Sequence, residues 1–289
     1  MTTRAKLALG TVQFGLAYGV AGAQAAIGVE DARVILRAAA DAGIERLDTA
    51  PAYGEIEARL AELIQGLPFT VVSKIPALPE GGDQCDFVRQ SIQQSVRRLG
   101  PNLVGMLFHD STVLAKEDGI ELWATAQATC REHGLELGVS CYDPADAAAL
   151  AQDFPIGMVQ APGNAFDQRF HAVAERVPGE VTVRSIFLQG LLLLTPEEAM
   201  ERVPLAAAAV APWRQWCRSA GLTPLEAAIG VAHGLGAAYC VVGVDRLPHL
   251  REILAAWNTP EIRAPELALS DADIIDPRLW PAQRQPVRA

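Results

Sequence analysis

Apolar and polar residues alternate along most of the chain in a repeating order. Short apolar segments, rich in Val, Ile and Leu, are each followed by a longer stretch with apolar residues at helical spacing. Several of the longer stretches end at a glycine, as Glu30–Ala42 does at Gly43, which is typical of a helix C-terminus. This order predicts strands that alternate with helices in a parallel sheet.

The pattern repeats eight times. The predicted strands span residues 7–14, 44–48, 69–74, 103–108, 135–139, 158–160, 181–185 and 239–242. The predicted helices span residues 30–42, 55–65, 86–99, 120–133, 145–152, 168–176, 225–233 and 247–257, with an Ala-rich helix inside a longer connection, 187–221.

Eight such units in 289 residues predict a (β/α)8 TIM barrel, formed by a single domain over residues 1–289. The Pro-rich residues from about 259 onwards predict an irregular C-terminal tail that lies on the barrel. A doubly wound sheet is the alternative fold. It should carry Gly-x-Gly-x-x-Gly after the first strand, and residues 15–19 do not supply it.

Composition narrows the class of protein and its partners. With 50% hydrophobic and 20% charged residues, the chain can form a large core, which excludes extended disorder. A net charge of −10 argues against nucleic acid or an anionic membrane as a partner. Five scattered cysteines without Cys-x-x-Cys spacing indicate a reducing compartment, and no metal site is expected. No apolar run resembles a signal peptide or a membrane span, so we expect a soluble cytoplasmic protein.

Ionisable residues follow three successive predicted strands. Asp48 ends the second strand, Lys74 the third, and His109 follows the fourth, while Tyr53 lies on the loop beyond Asp48. In a parallel barrel the carboxyl ends of the strands meet on one face, so these four side chains would share one pocket. The alternative interpretation is structural, with a buried Asp capping a turn, a Tyr on the rim and a snorkelling Lys.

The four groups together suit proton delivery to a carbonyl oxygen. A phenol is a poor acid at neutral pH, but an adjacent ammonium would lower its pKa, and a carboxylate would hold that ammonium in place. The imidazole would orient the carbonyl by a hydrogen bond. Since no such group supplies electrons, carbonyl reduction would need a hydride cofactor.

These motifs resemble those of the aldo-keto reductases, NAD(P)(H)-dependent oxidoreductases built on a (β/α)8 barrel. The resemblance covers most of the chain, and its motifs are LDTAPAYG, SKIP and LFHDS. It implies that Tyr53 is the general acid/base, that Lys74 is its pKa partner, that Asp48 holds Lys74 and that His109 orients the substrate.

The same resemblance implies a nicotinamide cofactor, NADP(H) or NAD(H). Its nicotinamide end would be contacted by residues near the first, fifth, sixth and seventh strands: Thr11, Ser140, Gln160, Arg184 and Ser185. Cys141 replaces the family's usual Asn, and Arg184 falls where many members have an aromatic that stacks on the nicotinamide. We expect Arg184 to stack instead through its guanidinium plane.

The adenosine end of the cofactor would be held by Gly243, Arg246, His249 and Glu252. Arg246 would pair with a 2′-phosphate, which favours NADPH, whereas Asp245 would repel that phosphate and favour NADH. As an alternative, Arg246 is a solvated surface residue.

Three hypotheses for the function remain. The first is an oxidoreductase that transfers hydride between nicotinamide and an aldehyde, ketone, lactol or sugar, so that a small carbonyl or alcohol is its partner. The second is a non-catalytic nicotinamide-binding member that acts through a protein partner, as channel subunits of the family do. The third is a cofactor-free lyase that uses Lys74 as a Schiff-base amine. The intact set of four site residues favours the first hypothesis.

Overall fold

Eight parallel strands form a closed barrel in the computed structural model, which describes residues 4–20, 26–172, 176 and 179–280. Each strand pairs with the next along the chain, and the eighth pairs with the first. The strands are β1 (Lys6–Gly10), β2 (Arg46–Asp48), β3 (Thr70–Ile75), β4 (Leu103–Phe108), β5 (Glu136–Ser140), β6 (Met158–Pro162), β7 (Glu180–Arg184) and β8 (Tyr239–Gly243). The predicted (β/α)8 barrel is therefore confirmed.

Helices connect the strands and surround the barrel. They are α1 (Val12–Gly15), α2 (Val29–Asp41), α3 (Ile56–Leu63), α4 (Gln84–Leu99), α5 (Gly119–Glu132), α6 (Pro144–Leu150), α7 (Pro196–Arg202), α8 (Val210–Ser219), α9 (Pro224–His233), α10 (Leu247–Ala256) and α11 (Ala272–Ile275). Among the described residues, no helix combines the length and apolar character needed to cross a membrane.

Local sequence determines where several helices begin. Thr195 and Thr223 each form a capping box with a Glu three residues later, followed by Pro at the first helical position of α7 and α9. Asp83 caps α4 by accepting a hydrogen bond from the Asp86 backbone N–H.

The core has three parts that support one face of the barrel. The largest lies between the strands and the surrounding helices. Inside the barrel, the side chains of Val72, Leu107 and Met158 pack together. A third cluster, which contains Trp213 and Trp280, lies under α7–α9 and the C-terminal residues. Because the barrel interior is filled, ligands are limited to its ends.

The structure differs from the prediction at the end of the first strand and at the helix predicted over 168–176. β1 ends at Gly10 rather than continuing to Phe14, because the Thr11 N–H donates to the Asp48 carbonyl at 2.9 Å and the chain turns into α1. The predicted helix 168–176 is a 3₁₀ helix at Arg169–Ala172, with residues 173–175 outside the described part. Arg169 bonds to the Asp167 carboxylate at 2.8 Å, and such local side-chain bonds compete with helix formation.

The connection 187–221 and the C-terminal residues contain more helix than predicted. Pro204 restricts Val203 to a non-helical conformation, so the connection forms two α-helices, α7 and α8, instead of one. The predicted irregular tail contains α11 and short 3₁₀ helices, and the Trp280 indole anchors it by donating to the Asp273 carbonyl at 2.9 Å.

Candidate active site

The four predicted site residues lie together at the C-terminal end of the barrel. Asp48 is the last residue of β2, Lys74 is the second to last of β3, and His109 immediately follows β4. Tyr53 lies on the loop after β2, where its backbone N–H donates to the Ala50 carbonyl at 3.0 Å. The closed parallel topology therefore brings together side chains that are far apart in sequence.

Lys74 and Asp48 form a buried ion pair. The Lys74 Nζ lies 2.8 Å from each Asp48 carboxylate oxygen and 3.0 Å from the Thr49 carbonyl oxygen. Gln160 donates a further hydrogen bond from Nε2 to Asp48 Oδ2 at 2.7 Å. Burial lowers the pKa of Lys74, and the Asp48 carboxylate raises it. Three acceptor oxygens match the three N–H donors of the Lys74 ammonium, and together they fix its position. A charged amine has no free lone pair, so Lys74 in this state cannot form a Schiff base.

Tyr53 lies beside this ion pair. The Lys74 Nζ is 5.3 Å from the centroid of the Tyr53 ring, and the His109 ring meets that ring edge-on at 6.2 Å. Burial raises the pKa of Tyr53, and the Asp48 charge raises it further. The sequence-based expectation of a lowered pKa for Tyr53 was therefore wrong, because burial, the largest cause, and the Asp48 charge both raise it. The phenol consequently keeps its proton at neutral pH.

His109 is uncharged at neutral pH. Burial, together with the charges of Lys74 and Arg184, lowers the pKa of His109 to about 4. A neutral imidazole retains one N–H donor and can bind a carbonyl oxygen without adding positive charge to the site.

One cavity of about 460 Å³ extends from these residues to the N-terminal end of α10. Most of the predicted site residues line it: Thr11, Asp48, Tyr53, Arg184, Ser185, Gly243, Arg246, His249 and Glu252. Lys74, His109, Ser140 and Gln160 lie at neighbouring strand ends and do not form its wall. Thr11 is fully buried, and its hydroxyl lies 2.9 Å from the Thr49 hydroxyl.

The loop after β7 has an unusual backbone. Ser185, Leu188 and Gln189 adopt positive φ angles of 60°, 47° and 54°, and Gly190 follows at 98°. Such conformations cost about 1–3 kcal/mol each in non-glycine residues and cluster at functional sites. Left-handed residues in turns also direct backbone N–H groups into concavities that bind anions.

Two further features suit a dinucleotide. Gly243 presents its backbone to the cavity, and a Cβ added there would lie 2.3 Å from Gln13 Nε2, the movable end of a side chain that also lines the cavity. The buried Gln160 Oε1 has no hydrogen-bond partner among the described residues. An amide ligand would satisfy that acceptor. The residues present therefore fit a ligand that carries a carboxamide near the end of β6.

The adenosine end carries the charges that bear on cofactor choice. The Asp245 side chain is 6% exposed, and its Oδ1 lies 2.8 Å from His249 Nδ1 and 3.5 Å from Arg246 Nε. Arg246 is 62% exposed and extends to the cavity rim. Asp245, which precedes α10, is thus largely shielded from solvent by its neighbours, although it also lines the cavity beside Arg246.

Arg184 lines the cavity at the end of β7. Its Nη2 donates to the Cys141 carbonyl at 3.1 Å, and its Cζ lies 4.5 Å from the centroid of the Tyr142 ring. Tyr142 thus covers one face of the guanidinium, and the expected stacking of Arg184 on a nicotinamide stays a prediction for the other face. Burial raises the pKa of Cys141 to about 12, and its thiol points to the Gln160 carbonyl at 3.7 Å.

Sequence analysis missed several cavity residues on other loops. Tyr18 accepts a hydrogen bond from Gln189 Nε2 at 3.1 Å, and the Val20 N–H donates to the Gln189 carbonyl at 2.9 Å. The loop after β1 therefore contacts the loop after β7 next to the cavity. Arg214, on α8, also lines the cavity. Periodicity gave no signal for these residues, because only tertiary packing brings them to the site.

Comparisons with known proteins agree with this architecture. The sequence matches the aldo/keto reductase family over residues 6–272. No curated protein matches it.

Among the described residues, no cluster of His, Cys, Asp and Glu could hold a metal ion.

Solved structures share the fold at low identity. An aldo-keto reductase from Bacillus halodurans, in its holo form, has a TM-score of 0.72 and 17% identity, covering 91% of this chain and 90% of its own. A glycerol dehydrogenase from Gluconobacter oxydans has a TM-score of 0.67 and 19% identity, with coverage of 92% and 90%. A protein from Pseudomonas aeruginosa, proposed to be an aldo-keto reductase, has a TM-score of 0.62 and 23% identity, with coverage of 88% and 90%.

The fold, the residues at its C-terminal end and the family match define the class of protein. The chain belongs to the aldo/keto reductase family. Membership of this family implies oxidoreductase activity.

Proposed function

We propose that the protein is an NAD(P)H-dependent carbonyl reductase that converts an aldehyde, ketone or sugar to the corresponding alcohol. The observation that carries this proposal is the Asp48–Lys74 ion pair beside a protonated Tyr53 and a neutral His109 at one end of a long cavity. When bound, the nicotinamide would supply the hydride.

Tyr53 donates the proton that the reduced oxygen needs, since its phenol is protonated and opens to the cavity. His109 donates a hydrogen bond to the same oxygen and fixes its position. Lys74, 5.3 Å from the Tyr53 ring, stabilises the negative charge that develops on the phenol as it loses its proton. Asp48 and Gln160 keep that ammonium in place.

Thr11, Ser140, Gln160, Arg184 and Ser185 hold the nicotinamide end of the dinucleotide, and Gly243, Arg246, His249 and Glu252 hold the adenosine end. We infer a preference for NADPH over NADH. The exposed Arg246 is the cation available to a 2′-phosphate, and the opposing Asp245 carboxylate is buried against His249.

Titration with NADPH and NADH, followed by quenching of tryptophan fluorescence, tests the cofactor assignment. We expect tight binding of NADPH and at least about tenfold weaker binding of NADH, the equivalent of about 1.4 kcal/mol. Arg246→Gln should remove most of this difference. Arg251→Gln is the matched control, since Arg251 is exposed on the same helix and does not line the cavity. If a folded sample binds neither dinucleotide, the proposed function is wrong.

A further inference from the structure

Arg184 carries a positive charge that no described carboxylate balances. Its guanidinium contacts the Cys141 carbonyl and the Tyr142 ring, both uncharged, and no ion pair to it is found among the described residues. Arg278 packs on the same Tyr142 ring, with its Cζ 3.6 Å from the centroid, but it pairs with Asp276 at 2.6 Å. Arg184 therefore stands alone as an unmatched cation.

This charge acts on the reacting end of the cavity. Arg184 and Tyr53 both line the cavity. Burial has the largest effect on the pKa of Lys74 and of His109, and the nearest charges come next. The Arg184 charge lowers both pKa values further. A half-buried cation acts strongly at short range, because little water screens it.

Among the charged groups that line the cavity beside Tyr53, Asp48 is matched by Lys74, whereas Arg184 has no partner of opposite charge among the described residues. His109 is neutral at pH 7 because its pKa lies at about 4. The Asp110 carboxylate also acts on His109, but it is exposed to solvent, which screens its charge, and it does not line the cavity. The two contacts of the Arg184 guanidinium hold it in place, so it does not swing into solvent when the cavity fills.

The hydride donor must lie next to this surplus charge. A carbonyl whose oxygen faces Tyr53 has to receive hydride on its carbon, so the donor ring must lie near the Tyr53 end of the cavity. The oxidised nicotinamide ring is cationic and the reduced ring is neutral. The two forms otherwise share their phosphates, riboses and adenine.

We propose that Arg184 makes the cavity discriminate between the redox states of the dinucleotide, binding the reduced form more tightly than the oxidised form. The site is thereby loaded with the hydride donor, and the oxidised product leaves readily. This inference rests on the proposed function. Two like unit charges within about 10 Å, at an effective dielectric constant of about 20, change binding by roughly tenfold or more.

Dissociation constants for NADP+ and NADPH test the proposal without any catalytic turnover. In the wild type, the ratio of the NADP+ constant to the NADPH constant should be at least about ten. Arg184→Gln should lower that ratio about tenfold, chiefly by tightening NADP+ binding, and Arg184→Lys should preserve it. If the protein prefers the dinucleotide without the 2′-phosphate, NAD+ and NADH are compared in the same way.

Arg214→Gln is the matched control, because it removes another arginine that lines the same cavity but comes from α8 and is not among the charges that act on Tyr53, Lys74 or His109. It should weaken both redox forms by the same factor and leave the ratio unchanged. A wild-type ratio near one would overturn the proposal, whatever the variants do. Equal changes of both constants in Arg184→Gln would also overturn it while leaving the proposed function intact. Absence of binding by either form would overturn both.

Discussion

The Asp48 carboxylate accepts hydrogen bonds from Lys74 on both oxygens and from Gln160 on one, in a place that water barely reaches. A buried ion pair adds little to stability in itself, because both charges are desolvated. Removing one partner is costly, since the other charge remains buried and unpaired. The pair therefore holds the Lys74 ammonium in one position. A fixed position is needed if its charge is to stabilise the ionised form of the Tyr53 phenol.

Lys74→Met should reduce carbonyl reduction by about 10²–10⁴-fold, because the phenol loses the cation that stabilises its ionised form. The same change should lower the free energy of unfolding by about 3–5 kcal/mol, because the Asp48 carboxylate is left unpaired. Urea unfolding and NADPH oxidation measure the two effects. In the double variant Asp48→Asn, Lys74→Met, stability should largely recover while activity does not. A single variant with wild-type rates and an unchanged pH profile would contradict the role of Lys74.

His109 should make stability fall in mild acid. Its pKa is about 4 in the folded protein, against an ordinary value of 6.5. Between these values the unfolded chain binds a proton that the folded chain does not, so the free energy of unfolding decreases as pH falls from 6.5 towards 4. The loss from this group is up to about 3 kcal/mol, and none of it is felt above pH 7.

Unfolding curves of the wild type and His109→Asn between pH 7 and pH 4 measure this contribution. The wild type should lose up to about 3 kcal/mol more than the variant over this range. If the free energy of unfolding falls by the same amount in the wild type and in His109→Asn between pH 7 and pH 4, His109 titrates normally in the folded protein and the prediction is wrong.

At the scale of elements, α1 and the loop after β2 approach each other unusually closely. An added Cβ on Gly15 would lie 1.8 Å from the Tyr53 carbonyl oxygen, so glycine is required there. This contact links the short helix after β1 to the loop that carries Tyr53.

Gly15→Ala should displace Tyr53 and lower kcat for carbonyl reduction by about 10–100-fold, since a shift of about 1 Å at a reacting group has effects of that size. Gly28→Ala is the control. Its Cβ would lie 3.6 Å from an Asp31 carboxylate oxygen, which is ordinary contact, so its kcat should match the wild type. Equal kcat values for the two variants would mean that the close contact does not position Tyr53.

The sequence predicted best those strands and helices whose apolar residues recur at a regular spacing. The predicted strand 103–108 matches β4, and the predicted helix 86–99 matches all but the first two residues of α4. The failures lie at residues 11–15, 168–176 and 187–221. There, the hydrogen bond donated by the Thr11 N–H, the bonds accepted by the Asp167 and Asn164 side chains, and the position of Pro204 decide the backbone, and periodicity carries no such information.

At the scale of the molecule, the alternation of strands and helices predicted the barrel, and the barrel topology then brings Asp48, Lys74 and His109 together without further information. The sequence did not predict the direction of the Arg184 side chain or the contact between Tyr18 and Gln189, because both depend on packing between loops. The sign of the pKa change at Tyr53 was also missed, since it depends on burial and on how closely Asp48 neutralises Lys74.

The net charge of the whole chain does not predict the local charge of the site. The molecule carries a net charge of −10, yet the reacting end of its cavity has a surplus positive charge from Arg184. Overall charge affects solubility and long-range association, whereas binding in a partly closed cavity follows the nearest groups. The negative molecule therefore contains a site suited to an anionic dinucleotide.

The most direct measurement is NADPH oxidation with a panel of aldehydes, ketones and aldoses, comparing the wild type with Tyr53→Phe. The variant should lose about 10²–10⁴-fold in rate while its dissociation constant for NADPH stays nearly unchanged. Tyr239→Phe is the control, because Tyr239 begins β8 at the opposite end of the barrel and should retain the wild-type rate. A Tyr53→Phe variant that keeps most of the turnover of the wild type would contradict the assignment of Tyr53 as the proton donor.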